Sequence, residues 1–199
     1  NGHHGVIHGG PQWVVGESAQ AMTGAVDLLR QLHPIRNFAE EGWDLKDGVL
    51  HATGGRRCYL PIATIPDEYD LRMTIERVTD GNALVVGLVS GGQRAALIMD
   101  GFRSRGGLWG LEQIQGKGPI ENATGVSNQS LQTGQPADVL VQVRKTGIRV
   151  ERDGQEIINW QGVPAVLSLH GLWTDDGPAR LFLGAQAQFT IRRLEFAPR

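Results

Sequence analysis

The sequence predicts an all-β sandwich, and three observations carry that prediction. From Trp43 onward apolar residues recur with a period near two, most clearly in residues 69–77, where Leu71, Met73 and Ile75 alternate with Asp70, Arg72, Thr74 and Glu76. The chain holds 28 glycines, many in polar stretches between the apolar runs, where turns and bulges need them. Its 199 residues are enough to bury a two-layer core in one domain, and a single cysteine, Cys58, rules out any disulfide within the chain.

Taken in order, residues 1–24 are rich in Gly and His with no sustained period, and read as an extended N-terminal arm preceding a sandwich domain over residues 25–199. Leu28, Leu29 and Leu32 then fall at helix-like spacing, with Pro34 expected to stop that short element. Cys58 lies in an apolar run and is expected to be a small buried side chain. Residues 84–89 are apolar on both faces and predict a central strand. Residues 94–99 and 108–114 form a pair around a Gly-rich loop, and residues 139–144, 148–152 and 155–160 a meander with turns at Thr146-Gly147 and Asp153-Gly154. In the last strand the apolar parity shifts from Phe189 and Ile191 to Leu194 and Phe196, which places a bulge at Arg192-Arg193.

Three fragments in fixed order carry a family resemblance: Trp43-Asp-Leu-Lys-Asp-Gly-Val-Leu-His51, Tyr69 to Arg77, and Gly81-Asn-Ala-Leu-Val-Val-Gly-Leu-Val-Ser90. With Gly110-Leu-Glu-Gln-Ile-Gln115, residues 150–160 and the closing Phe189 to Phe196, the chain resembles the "domain of unknown function 1080", or 3-keto-disaccharide hydrolase, domains over residues 38–197. The resemblance implies a concanavalin A-like jelly-roll β-sandwich. It also implies that Glu112 and Asn82 stand where the family motifs have their Glu and Asn. Two departures weaken any implied activity: Ala83 replaces a Ser, and Val86-Gly87-Leu88 lacks the Arg common there.

Charge excludes some partners. With 19 basic and 21 acidic residues the net charge is −2 and no basic stripe exists, so nucleic acid is not expected as a partner. No apolar run approaches the roughly 18 residues of a helical membrane span. The chain begins Asn1-Gly-His-His-Gly5 and reads as a processed or excised piece, which suggests an extracellular, cell-surface or periplasmic protein. A free amino terminus followed by His3, with His4 and His8 nearby, can wrap Cu²⁺ or Ni²⁺, but only if Asn1 is the native terminus, so no metal or cofactor is assigned.

Candidate site residues are polar or aromatic groups on strands or their rims. Glu112 and Asp100, brought to one rim by the hairpin around residues 102–107, are the catalytic candidates if the protein is an enzyme. Gln113, Gln115 and Asn82 are candidates for hydroxyl recognition, the last also an ordinary turn residue. Trp109 and Trp173 sit in Gly-rich or charged stretches and are the candidates for stacking on sugar rings, whereas Trp43 and Trp160 are expected in the core. Glu68-Tyr-Asp70 begins the alternating-carboxylate pattern of retaining endoglucanases but continues into Arg72 and Thr74, so that motif is broken. Asp175-Asp176 clusters oxygens as Ca²⁺ prefers, yet reads more simply as a polar turn.

Together these readings predict a carbohydrate-recognition module with an oligo- or polysaccharide partner. The alternatives are a hydrolase or lyase acting on 3-keto-glycosides, and a structural subunit that oligomerises through residues 1–24, whose Val6, Ile7, Trp13, Val14 and Val15 need cover.

Overall fold

A computed structural model describes residues 22–38 and 40–199 of the protein. Nearly all of the expected arm, with His3, His4 and His8, lies outside the described residues. Thirteen strands follow in chain order: β1 (Val26–Asp27), β2 (Trp43–Lys46), β3 (Val49–Thr53), β4 (Cys58–Ala63), β5 (Tyr69–Arg77), β6 (Leu84–Ser90), β7 (Gln93–Gly101), β8 (Leu108–Leu111), β9 (Pro136–Arg144), β10 (Gly147–Arg152), β11 (Gln155–Gln161), β12 (Leu181–Ala185) and β13 (Gln188–Pro198). They form two antiparallel sheets, one ordered β11-β10-β9-β5-β13-β3-β2 with β1 added along β13, the other β4-β12-β6-β7-β8.

The alternation seen in the sequence faces the two sheets toward one another. Leu71, Met73 and Ile75 of β5 and Val139, Val141 and Val143 of β9 join Leu84, Val86 and Leu88 of β6 and Leu97 and Met99 of β7 in one apolar core. Each of these side chains, almost wholly removed from water, contributes roughly 1.5–3 kcal/mol before chain entropy is counted. Tyr69 ties the layers together polar end first: its buried hydroxyl accepts a hydrogen bond from Val89 N at 3.1 Å, and burial raises its pKa. Trp43, Trp160 and Cys58 are buried as expected.

The bulge falls where the parity changed, with the β13–β5 register shifting between Ile191 and Arg193. Strand β6 lies between β12 and β7, and both its faces are apolar because both are covered, Leu84, Val86 and Leu88 by the main core and Val85 by a second apolar cluster. Pro34 behaves differently from the expectation: it opens rather than stops an element, α1 (Pro34–Asn37). The reason is that the first helical position has no use for an N–H, and His33 Nδ1 caps the turn by accepting from Ile35 N at 3.3 Å.

Candidate functional site

The outer face of the five-stranded sheet is apolar, which a solvent-facing sheet surface normally is not. Tyr59, Ala83, Val85, Ala96, Ile98 and Phe182 point away from the main core into a second cluster closed by Trp173, with Leu169 and Leu172 against it. Small residues on the same face leave room for the cover. A methyl group at Gly184 would stand 2.5 Å from the Trp173 ring, and one at Gly87 would collide with the ring of Phe182. Trp173 therefore stacks on Phe182 with centroids 6.2 Å apart, and Phe182 leans on Tyr59 at 5.0 Å.

Residues 162–180 form the strap that carries Trp173 across this face. Asp175 anchors it: Tyr59 Oη donates to Oδ2 at 2.7 Å, Arg180 Nη2 to Oδ2 at 2.9 Å and Arg94 Nη1 to Oδ1 at 3.3 Å, while Arg94 also donates to the Gly177 carbonyl. Burial alone would raise the Asp175 pKa, but the Tyr59 hydroxyl, Arg180, Gly177 N–H and Arg94 outweigh it and hold the carboxyl below its usual range. The acidic pair is thus a turn and an anchor. Among the described residues no group of three or more His, Cys, Asp or Glu is placed to hold a metal ion.

Where the strap leaves the sheet uncovered there is a cleft of about 320 Å³. Val85, Ile98 and the edge of Trp173 make its apolar floor, and Asn82, Gln186, Phe102, Gln113, Glu112 and His170 its polar rim. The amides are fixed rather than free. Asn82 Nδ2 donates to Gln186 Oε1 at 3.0 Å, Asn82 Oδ1 accepts from Phe102 N at 3.1 Å, and Gln113 Oε1 accepts from Ser168 Oγ at 2.8 Å. Phe102 is 36% exposed and adopts φ 48°, a left-handed conformation rare for a bulky residue. Strain of that kind persists where surrounding structure enforces it, and it tends to mark functional sites.

Glu112 follows β8 and is only 7% exposed. Its Oε2 accepts from His170 N at 3.1 Å. Burial raises its pKa, offset in part by the His170 N–H and the Trp173 indole. His170 Nδ1 accepts from Leu172 N at 3.1 Å, which leaves Nε2 to carry the proton of the neutral ring. The rim so offers one carboxyl with raised proton affinity, one imidazole, several amides and one exposed aromatic face. Among the described residues no Arg or Lys lines it.

The structure brings Glu112, Gln113, Asn82 and an edge of Trp173 to one cleft and separates Trp109, Asp100 and Gln115 from them. Trp109 is a β8 residue with no exposed surface, its Nε1 donating to Gln129 O at 2.9 Å, so it offers no face to a sugar. Trp173 is in the loop expected for it but is 2% exposed; it plugs the sheet instead of presenting a ring. Asp100 is not a rim carboxylate. It has no solvent exposure and is paired with Arg77 at 2.6 Å and Arg103 at 3.1 Å. Gln115 is exposed in the turn after Ile114, its backbone N–H donating to Val166 O, and it does not line the cleft. Asp70 is held by Arg144 at 2.7 Å and Arg199 at 2.5 Å, so no groove of carboxylates forms on β5. Phe102, His170 and Gln186 were the cleft residues missed. The only sequence signal for Phe102 was a large apolar side chain stranded in a polar Gly-rich loop.

Solved structures of the same architecture have very different sequences. A carbohydrate-binding module, CBM66 from Bacillus subtilis, superposes with a TM-score of 0.52 over 78% of this chain and 90% of its own, at 6% identity. The fold is a concanavalin A-like jelly-roll sandwich. A putative glycosyl hydrolase from Parabacteroides distasonis gives 0.52 at 12% identity over 88% and 99% of the two chains. The VIP36 exoplasmic/lumenal domain, in a form bound to Ca²⁺ and Man3GlcNAc, gives 0.57 at 8% identity over 80% and 82%. No protein-family model and no curated protein matches the chain.

Proposed function

We propose that the protein is a carbohydrate-recognition module whose binding site is the cleft between Phe102 and His170. The observation that carries this reading is the combination in one cleft of an exposed aromatic ring with fixed amides and a carboxyl group. Such a set suits a pyranose, whose C–H face lies on the ring while its hydroxyls meet oriented donors and acceptors. The protein's structural neighbours include a carbohydrate-binding module and a lumenal domain bound to Man3GlcNAc, in keeping with a protein that meets glycans outside the cytoplasm. A shallow site with few anchors forfeits much of its contact energy to association entropy, so affinity per site is expected at about 10 µM to 1 mM. A glycan array followed by titration calorimetry tests the reading, and blank results with every glycan would end it.

One observation favours a second reading, turnover of a 3-keto-glycoside. Glu112 has raised proton affinity and lines the cleft together with His170, two residue types that acid–base chemistry uses. Two-carboxylate hydrolysis is not supported, because it needs a second carboxyl about 5–10 Å away and, among the described residues, Glu112 is the one carboxyl that lines the cleft. Incubation with 3-keto-glycosides, with E112Q expected to be at least about a hundredfold slower, decides between binding and turnover.

A further inference from the structure

A five-stranded sheet is roughly 20 Å wide across its strands, so an uncovered outer face would form a trough wider than one sugar ring. Here the trough is stopped on both sides. Toward β12 and β4, the stack of Trp173, Phe182 and Tyr59 fills the sheet surface, locked by the Asp175 network, and no space for even a water molecule remains among them. Toward the β8 edge, Pro119 sits over Gly110, where a methyl group would stand 2.8 Å from the proline Cβ. The loop that holds Pro119 there is itself pinned: Asn122 Nδ2 donates to Leu111 O at 2.9 Å, and Thr124 Oγ1 donates to Asn122 Oδ1 at 2.6 Å while accepting from Leu111 N at 2.9 Å. Between the two stops lies only the cleft of about 320 Å³, at the bottom of the size range of ligand pockets, about 300–1,000 Å³.

From this geometry we infer that the site takes the terminal residue of a neutral glycan, one sugar ring at a chain end, and not an internal stretch of a polysaccharide. This rests on the carbohydrate reading above and narrows it. The remaining sugars of the chain leave the cleft into solvent, so they add no contacts. The terminal sugar is uncharged because a uronic or sialic carboxylate would enter a cleft that contains the Glu112 carboxyl and, among the described residues, no Arg or Lys to receive it.

The test is titration calorimetry of the full chain with glucose, mannose, galactose and N-acetylglucosamine, with linear di- to hexasaccharides of each, and with glucuronic and galacturonic acids. The inference expects one of the neutral series to bind with a dissociation constant that changes less than about threefold from monosaccharide to hexasaccharide, and the two uronic acids not to bind. Affinity that rises tenfold or more with chain length overturns the chain-end inference while leaving carbohydrate recognition standing. Tighter binding of a uronic acid than of its neutral counterpart overturns the neutral-ligand part. A blank for every sugar overturns the carbohydrate reading and this inference with it.

Discussion

Arg77 and Asp100 form an ion pair to which solvent has no access: Arg77 Nε donates to Asp100 Oδ2 at 2.6 Å, and neither side chain has any exposed surface. The guanidinium also donates to the carbonyls of Thr79, Asn82 and Asp100 and lies 4.5 Å from the centroid of the Phe189 ring. Arginine is thereby made the organiser of the β5–β6 turn that carries Asn82 to the cleft.

Asp100→Ala leaves that buried guanidinium without its counter-charge, a defect that typically costs about 3–5 kcal/mol. Urea unfolding should show this loss as a lowered midpoint. Sugar affinity of the protein that remains folded should change little. A variant as stable as the wild type but defective in binding would instead restore Asp100 to the site.

Trp173→Ala removes the plug over Gly184 and exposes Phe182, and large-to-small changes of buried aromatic residues cost about 3–5 kcal/mol. Thermal unfolding should show the loss, and a hydrophobic dye should bind the uncovered sheet. A Trp173→Ala protein of unchanged stability that only lost sugar binding would show that the ring faces the ligand.

These two residues show where the sequence was legible and where it was not. The strands, the β13 bulge and the buried Trp43 and Trp160 followed from local period, because alternation along a strand is enforced by its own backbone. The role of Trp173 depends on Gly184 and Gly87, that of Asp100 on Arg77, and each pairing is made by sheet register that no local pattern announces. Trp109 was misplaced for a related reason. Its strand was expected, but the glycines around it suggested an exposed ring, whereas Gly110 is small because Pro119 covers it and the ring itself is buried. Glu112 and Asn82 were singled out by motif position and Gln113 by its place beside Glu112, whereas His170 and Gln186 reach the cleft from distant segments.

Glu112→Gln should reveal the cost of the buried carboxyl through pH. The folded-state pKa is raised above the unfolded value of about 4.3, so the stability linked to this group is complete below that value and is lost as pH rises through the folded pKa. Glutamine keeps an oxygen to accept from His170 N and has no charge to bury. The variant should therefore melt above the wild type at pH 7.5, and the gap should close as pH falls below about 4. A wild type more stable than the variant at neutral pH would mean that the carboxylate is better solvated or paired than its burial indicates.

Phe102→Gly separates the binding surface from the fold, because the two should respond in opposite senses. Phenylalanine at φ 48° carries backbone strain of about 1–3 kcal/mol that glycine does not, while glycine brings a chain-entropy cost of about 0.5–1 kcal/mol. Stability should then be unchanged or slightly higher. Binding should fall, since the exposed aromatic face at the rim is gone; loss of a stacking worth about 1 kcal/mol corresponds to roughly fivefold in the dissociation constant. Chemical denaturation and calorimetry on the same preparation measure both. Sugar affinity equal to that of the wild type would remove Phe102 from the site, and a large drop in stability would mean that the ring holds the β7–β8 hairpin in place of a ligand.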